Sequence, residues 1–267
     1  MPPKAQLDLP LESALGHGGR RAGAGRKPQP GGRRMPHQAR PPHAARHPVH
    51  VTLRSAHRSL RSRYVFPTVR DAIRDVNRGS FRERRLVRSR RVPGGPAPSI
   101  GAVSTSGRKD FRVVHFTVQQ DHLHLLVEAR DGRALSNGVR ALAVTLARRL
   151  NQLVFRRGRV FADRWHGRAL TTPRAVRHAL VYVLGNFRKH APLAPELLDV
   201  FSSAPYFDGF AEFAGCAPIA RNPSLVPRAL APPAADAIPI APATTWLLAV
   251  GWLRHGALSV REKPASR

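Results

Sequence analysis

Cysteine is almost missing from this chain, with Cys216 alone among 267 residues. No intrachain disulfide and no cysteine-rich zinc site can form, which fits a reducing compartment. Long apolar runs are missing too. The longest, WLLAVGWL at 246–253, falls far short of the ~20 residues a membrane helix needs, and the N-terminus lacks a hydrophobic signal core. The expectation is a soluble, cytoplasmic protein with no membrane association. Acidic residues are scarce: 16 Asp plus Glu stand against 45 Lys plus Arg, a formal charge of +29. Such an excess calls for a polyanionic partner, and nucleic acid is the first candidate. Most of the excess is arginine, whose planar fork suits phosphates and guanine edges. A GC-rich genome also raises arginine without any function, so composition alone identifies nothing.

What is present falls into segments. Residues 1–45 are rich in Gly, Pro, Arg and His with no apolar period, and read as a disordered basic arm. HPVHVTLR (47–54) alternates as a strand, and FPTVRDAIRDVNRG (66–79) carries Val69, Ala72, Ile73 and Val76 at helical spacing. Residues 88–109 form a Pro/Gly/Ser-rich stretch too long for a tight loop, and read as a flexible insertion. FRVVHFTVQQDHLHLLVEA (111–129) reads as two strands around the polar break QQD, a hairpin.

A helix follows over 132–158, with Leu135, Val139, Leu142, Leu146, Leu150 and Leu153 in one stripe. Residues 159–170 read as a last strand. Thr172 and Pro173 then mark the start of a helix running to about 190. The order strand, helix, hairpin, helix, strand, helix predicts an α+β domain over 46–195, with helices packed on an antiparallel sheet. Residues 196–267 are Pro/Ala-rich with apolar islands such as FSSAPYFDGF, and read as an irregular C-terminal extension that packs in part on the core.

Two constellations carry chemistry. His122 and His124 lie two apart in the second hairpin strand and so share a face, while Leu123, Leu125 and Val127 point to the core. Two adjacent imidazoles suit one divalent cation, but in a chain with 13 histidines an isolated pair also has ordinary structural explanations. On the 173–190 helix, Tyr182 and Asn186 are one turn apart on one face, with His178 a turn earlier. A phenol is a weak nucleophile at neutral pH because its pKa is about 10. It attacks phosphorus once a metal ion polarises the scissile phosphate. Two imidazoles and an amide oxygen suit Mn2+ well and Mg2+ acceptably, with zinc the poorer fit.

The segments HPVHVTLR, FRVVHFTVQQDHLHLLVEA, GRVFADRWHGRALTTPRAVRHALVYVLGNFRKH and FSSAPYFDGF resemble the single-tyrosine HUH transposases, in particular the REP-associated tyrosine transposases. The likeness spans residues 47–190. It implies a ferredoxin-like domain that cuts and rejoins single-stranded DNA beside a hairpin through a 5′-phosphotyrosine. By position, His122 and His124 become metal ligands, Tyr182 the nucleophile, and Asn186 the third protein ligand or an orienting group. The chain departs from the family at Asp121, where Asn is commoner, and in the 88–109 insertion.

Arg159, Arg164, Arg168, Arg174, Arg177, Arg188 and Lys189 flank the tyrosine helix and are candidates to hold phosphates around the scissile bond. Trp165 is placed either to stack an unpaired base or to pack under the last strand. Two functions follow: a metal-dependent single-strand endonuclease and strand transferase working as monomer or homodimer on single-stranded or hairpin DNA, or a catalytically silent protein that binds DNA or RNA hairpins.

Overall fold

The structure, a computed structural model, describes residues 42–56, 60–79, 110–161, 163–190, 198–214 and 238–264. The insertion expected over 88–109 and nearly all of the arm expected over 1–45 lie outside the described residues.

β1 (Val49–Arg54) buries Val49, Val51 and Leu53 on one face and turns His50, Thr52 and Arg54 to the other. α1 (Phe66–Asn77) starts with a proline in its first turn, where the missing N–H costs nothing, and buries Val69, Ala72, Ile73 and Val76. β2 (Phe111–Val118) and β3 (His122–Ala129) form the expected hairpin. α2 (Gly132–Leu153) is capped by Asp131, whose carboxylate accepts from Ala134 N at 2.7 Å, and buries the stripe Leu135, Val139, Leu142, Leu146, Leu150.

α2 stops five residues before the sequence expectation because Phe155 takes φ 50° and Gly158 φ 105°, conformations no helix can continue. The strand expected over 159–170 contracts to β4 (His166–Ala169), an exposed edge strand. α3 (Pro173–Gly185) begins at the Thr172 cap, where Oγ1 accepts from Ala175 N at 3.1 Å. It ends at Gly185, and α4 (Phe187–His190) follows after Asn186. The expected single helix therefore breaks at Asn186. Gly185 lies against the Glu262 carbonyl, which a Cβ would approach to 3.2 Å.

The sheet order is β2-β3-β1-β4 with every neighbour antiparallel, the ferredoxin-like arrangement, so the α+β expectation is borne out. α1 and α2 pack with Leu123, Leu125 and Val127 in one core on one face. α3 covers the opposite face, over Val114 and Leu126. A bulge between Val113 and His115 lets Val114 and His115 both turn to the α3 side, while Phe111, Val113, Phe116 and Val118 stay in the α1–α2 core.

Two later segments complete the packing. Residues 198–206 run beside β2, with Val118 N donating to Phe201 O at 2.9 Å and Ser203 N to Phe116 O at 2.8 Å. The buried Asp199 carboxylate takes both arms of Arg61, at 2.7 and 3.0 Å. Residues 238–264, which include the short helix α5 (Trp246–Ala249), place Leu247, Leu248, Trp252, Leu258 and Val260 against α3. Their anchor is Glu128 on β3. This carboxylate is 2 % exposed and accepts from Thr244 Oγ1 at 2.7 Å, Thr245 Oγ1 at 2.8 Å and both threonine N–H groups at 2.9 Å.

Removing a buried carboxylate that satisfies four donors strands them, so Glu128→Ala should lower unfolding free energy by about 2–4 kcal/mol. Urea melts check this; a loss under about 0.5 kcal/mol would show the anchor to be idle. His115 gives a second expectation. Burial pulls its pKa from 6.5 to about 3. The folded state thus binds fewer protons than the unfolded chain between those values, so stability held above pH 6.5 falls as pH drops toward 3, by up to about 1.4 kcal/mol per pH unit. In His115→Gln, a plot of melting temperature against pH should be flatter across that window.

Candidate active site

Residues directly opposite in antiparallel strands share a face. The register sets Thr117, His124, Thr52 and His166 in one row across the sheet, and Leu126, His50 and Arg168 in the next. His122 pairs with Arg54. The row residues lie on the α3 side, opposite the α1–α2 core.

α3 brings Tyr182, half-buried, onto this face of the same chain. Its hydroxyl lies 3.3 Å from His124 Nε2. The other ring nitrogen of His124, Nδ1, meets Thr52 Oγ1 at 3.1 Å and His50 Nε2 at 3.2 Å. The His122 ring stands edge-on to His124 with centroids 4.6 Å apart. Burial first, and then the neighbouring His50, His122 and Lys189, push the His124 pKa from 6.5 down to about 2. His124 is therefore neutral at any physiological pH and keeps one lone pair. With Tyr182 donating its O–H to Nε2, the ring proton sits on Nδ1, where Thr52 and His50 can accept it.

Asp121 Oδ1 lies 2.7 Å from His122 Nδ1, and its carboxyl is held below the ordinary carboxylate range chiefly by that bond. An Nδ1–H given to Asp121 leaves the His122 lone pair on Nε2, the tautomer a metal ligand uses. The Asp121 carboxylate thus orients the first histidine.

Asn186, one turn after Tyr182, is 1 % exposed, and neither Oδ1 nor Nδ2 has a hydrogen-bond partner. A buried amide left this way costs about 1–3 kcal/mol, which a group bound there would relieve. Among the described residues no three His, Cys, Asp or Glu side chains gather around a common point. The imidazoles of His122 and His124 and the orphaned Asn186 amide are the nitrogen and oxygen donors of this region, a chemistry that divalent ions accept. His124 Nε2 has one lone pair, so at any moment it serves either the phenol or an ion.

The basic candidates divide. Arg168 is exposed on the site face beside His50, and Arg164, Arg174, His178 and Lys189 are exposed. Lys189 Nζ stands 5.6 Å from the Tyr182 ring centre. Arg159 is exposed and donates to Phe161 O at 2.7 Å. Arg177 is turned inward: it grips Glu262 at 2.6 and 2.9 Å and donates to the Gly256 and Ala257 carbonyls. Arg188 donates to Val260 O at 3.0 Å and lies over the Phe187 ring. These two tie down the C-terminal segment. Trp165 packs against the α1–α2 core and over Gly167, where a Cβ would meet its ring at 2.5 Å, so the packing alternative is the one observed.

Sequence reasoning missed His50 and Thr52. Period two in HPVHVTLR does place both on the polar face of β1, but only the β1–β3 register shows that they meet His124.

A sheet-borne His-x-His pair faced, within one chain, by a tyrosine helix defines the class of site. Comparison with known families agrees: residues 102–167 match the model described as "Transposase IS200 like". The resemblance read from the sequence is thus borne out over residues 102–167. The match contains β2, β3, α2 and both histidines, and stops before the tyrosine helix. Among solved structures, one described as a REP-associated tyrosine transposase bound to a REP hairpin is 17 % identical, with a TM-score of 0.41, covering 63 % of this chain and 82 % of that one. No curated protein matches the chain. Among the described residues no helix is long and apolar enough to cross a membrane.

An amide kept for a ligand is a burden without it. Asn186→Leu should leave the metal-free protein as stable as the wild type or stabilise it by about 1–2 kcal/mol, measured by thermal melts in EDTA. A loss of several kcal/mol would show the amide to be structural.

Proposed function

We propose that the chain is a metal-dependent single-stranded DNA endonuclease and strand transferase that acts beside hairpins through Tyr182. The observation that carries the reading is the Tyr182 hydroxyl 3.3 Å from the neutral His124 Nε2. In the proposed step the Tyr182 oxygen bonds to the scissile phosphorus and the bond from phosphorus to the 3′ oxygen breaks. The 5′ phosphate stays on Tyr182, and the phenol proton ends on the departing 3′ oxygen. His124 is too weak a base to keep that proton. Before an ion binds, it orients the hydroxyl by accepting its hydrogen bond, with His50 and Thr52 fixing the ring; once Nε2 turns to the ion, that hydrogen bond is given up.

Mn2+ or Mg2+, held by His122, His124 and Asn186, would polarise the phosphate and offset charge on its oxygens. Asp121 sets the tautomer of His122, and Lys189 adds positive charge beside the Tyr182 ring. Arg159, Arg164, Arg168 and Arg174 are the proposed phosphate contacts. Rejoining is the reverse attack by a 3′ hydroxyl on the phosphotyrosine. Hairpin DNA as partner follows from the family resemblance, and work on DNA would place the protein with the nucleoid in the cytoplasm.

With a labelled hairpin oligonucleotide and Mn2+, denaturing gels should show a covalent adduct that Tyr182→Phe abolishes. His122→Ala and His124→Ala should cut cleavage by more than about a hundredfold, since outer partners of metal ligands alone cost 10- to 100-fold. Binding of the same oligonucleotide should be largely retained, because phosphate contacts dominate it. An adduct that survives Tyr182→Phe would assign the nucleophile elsewhere, and salt-sensitive hairpin binding with no adduct in any divalent ion would favour the silent hairpin-binding reading.

A further inference from the structure

Away from the histidines and Tyr182, where α2 ends, the chain does something unusual. Phe155 adopts the left-handed φ of 50°, the one non-glycine residue with positive φ among those described, and its side chain is 96 % exposed. A bulky residue in this conformation is strained, and an aromatic ring wholly in water gains nothing from burial. Strain of this kind persists where function requires it. Tyr64, 65 % exposed, reaches the same helix end, its hydroxyl donating to Leu153 O, two residues before Phe155, at 3.3 Å. Arg63, Arg156, Arg157 and Arg159, near the two aromatic residues in sequence, are all exposed.

We propose that Phe155 and Tyr64 form a stacking platform for the unpaired bases of single-stranded DNA, with the surrounding arginines holding the phosphates. Exposed rings accompanied by cations match a single strand, which offers a π-face and a phosphate at every nucleotide; in a duplex those faces are already stacked. A protein partner's apolar anchor would prefer a patch depleted of charge. The route from the platform to the histidines is short. Residues 156–159 lead to Val160, whose carbonyl accepts from Ala56 N at 2.8 Å, while Phe161 bridges Ser55 and Ser55 N donates to the Asp121 carbonyl at 2.7 Å. The platform thus sits at the end of the sheet where β3 begins with His122, on the α1–α2 layer. It serves the DNA substrate of the proposed function and rests on that reading for its purpose, but its binding needs neither metal nor Tyr182.

The test is fluorescence anisotropy in EDTA, where no cleavage intervenes, with labelled oligothymidylate of about 20 nucleotides and an abasic oligomer of equal length. Phe155→Ala and Tyr64→Ala should each weaken oligothymidylate binding by at least about fivefold, and Phe155→Trp should restore it to within about twofold. Phe155→Ala should leave abasic binding within about twofold of wild type, since phosphates alone remain to be held. Phe155→Gly, free of the backbone strain, should melt no lower than wild type and still bind weakly. Wild-type affinity in Phe155→Ala, or an equal loss on the abasic oligomer, overturns the platform. An adduct lost in Tyr182→Phe with stacking unaltered by Phe155→Ala would sink this inference alone; intact stacking with no adduct in any metal would sink only the nuclease reading.

Discussion

The pairing of β1 with β3 is the constraint on which the rest depends. Thr52 opposite His124 and His50 opposite Leu126 place three hydrogen-bonding side chains under α3, and Val49, Val51 and Leu53 under α1 and α2. Strand side chains alternate with period two, so a slip of one residue would bury His50 and Thr52 in the apolar core and turn the valines toward Tyr182. Both faces of this sheet are covered, so both the core and the site specify the same register. His124 is the point where the demands meet. Strand pairing fixes its backbone, β1 takes its Nδ1, and α3 takes its Nε2.

The tyrosine helix is itself held from outside. The C-terminal segment passes over α3, anchored at one end on Glu128 and at the other by Arg177 and Arg188. Much of the helix that presents Tyr182 is therefore buried in the second core, which narrows the freedom of the phenol. This also changes how the charge is read. Three of the seven basic residues flanking the helix in sequence, Arg159, Arg177 and Arg188, donate hydrogen bonds inside the chain, and Arg168, on an edge strand, is the one that the register sets beside the imidazoles.

The fold was legible because its signals are local. Alternation in VHVTLR, the leucine stripe of α2 and the Thr-Pro start of α3 each follow from backbone geometry over a few residues. His122, His124 and Tyr182 were legible for the same reason, through residue type at fixed spacing. What escaped depends on contacts distant in sequence. Nothing near His50 says that it will meet a histidine 74 residues later, nor can Arg177 be told from Arg174 without knowing where Glu262 falls. The early end of α2 was missed because LVFRRG has ordinary helical propensity up to its glycine, and the left-handed turn at Phe155 defies it.

The places where this chain breaks local rules are informative for that reason. Most buried polar groups here are satisfied, as the four donors on Glu128 and the paired arms of Arg61 on Asp199 illustrate. Against that background Asn186 keeps an unpartnered amide at the break between α3 and α4, one turn from the phenol, and Phe155 holds an exposed ring on a strained backbone. Each costs folding free energy that an ordinary leucine or glycine would avoid. Natural sequences agree with themselves at most levels and depart from that agreement where a bound partner repays the cost. One departure lies a turn from Tyr182 on the α3 side and the other on the α1–α2 layer, at the sheet end that carries His122, and on the proposed reading a single strand of nucleic acid is the ligand that repays both.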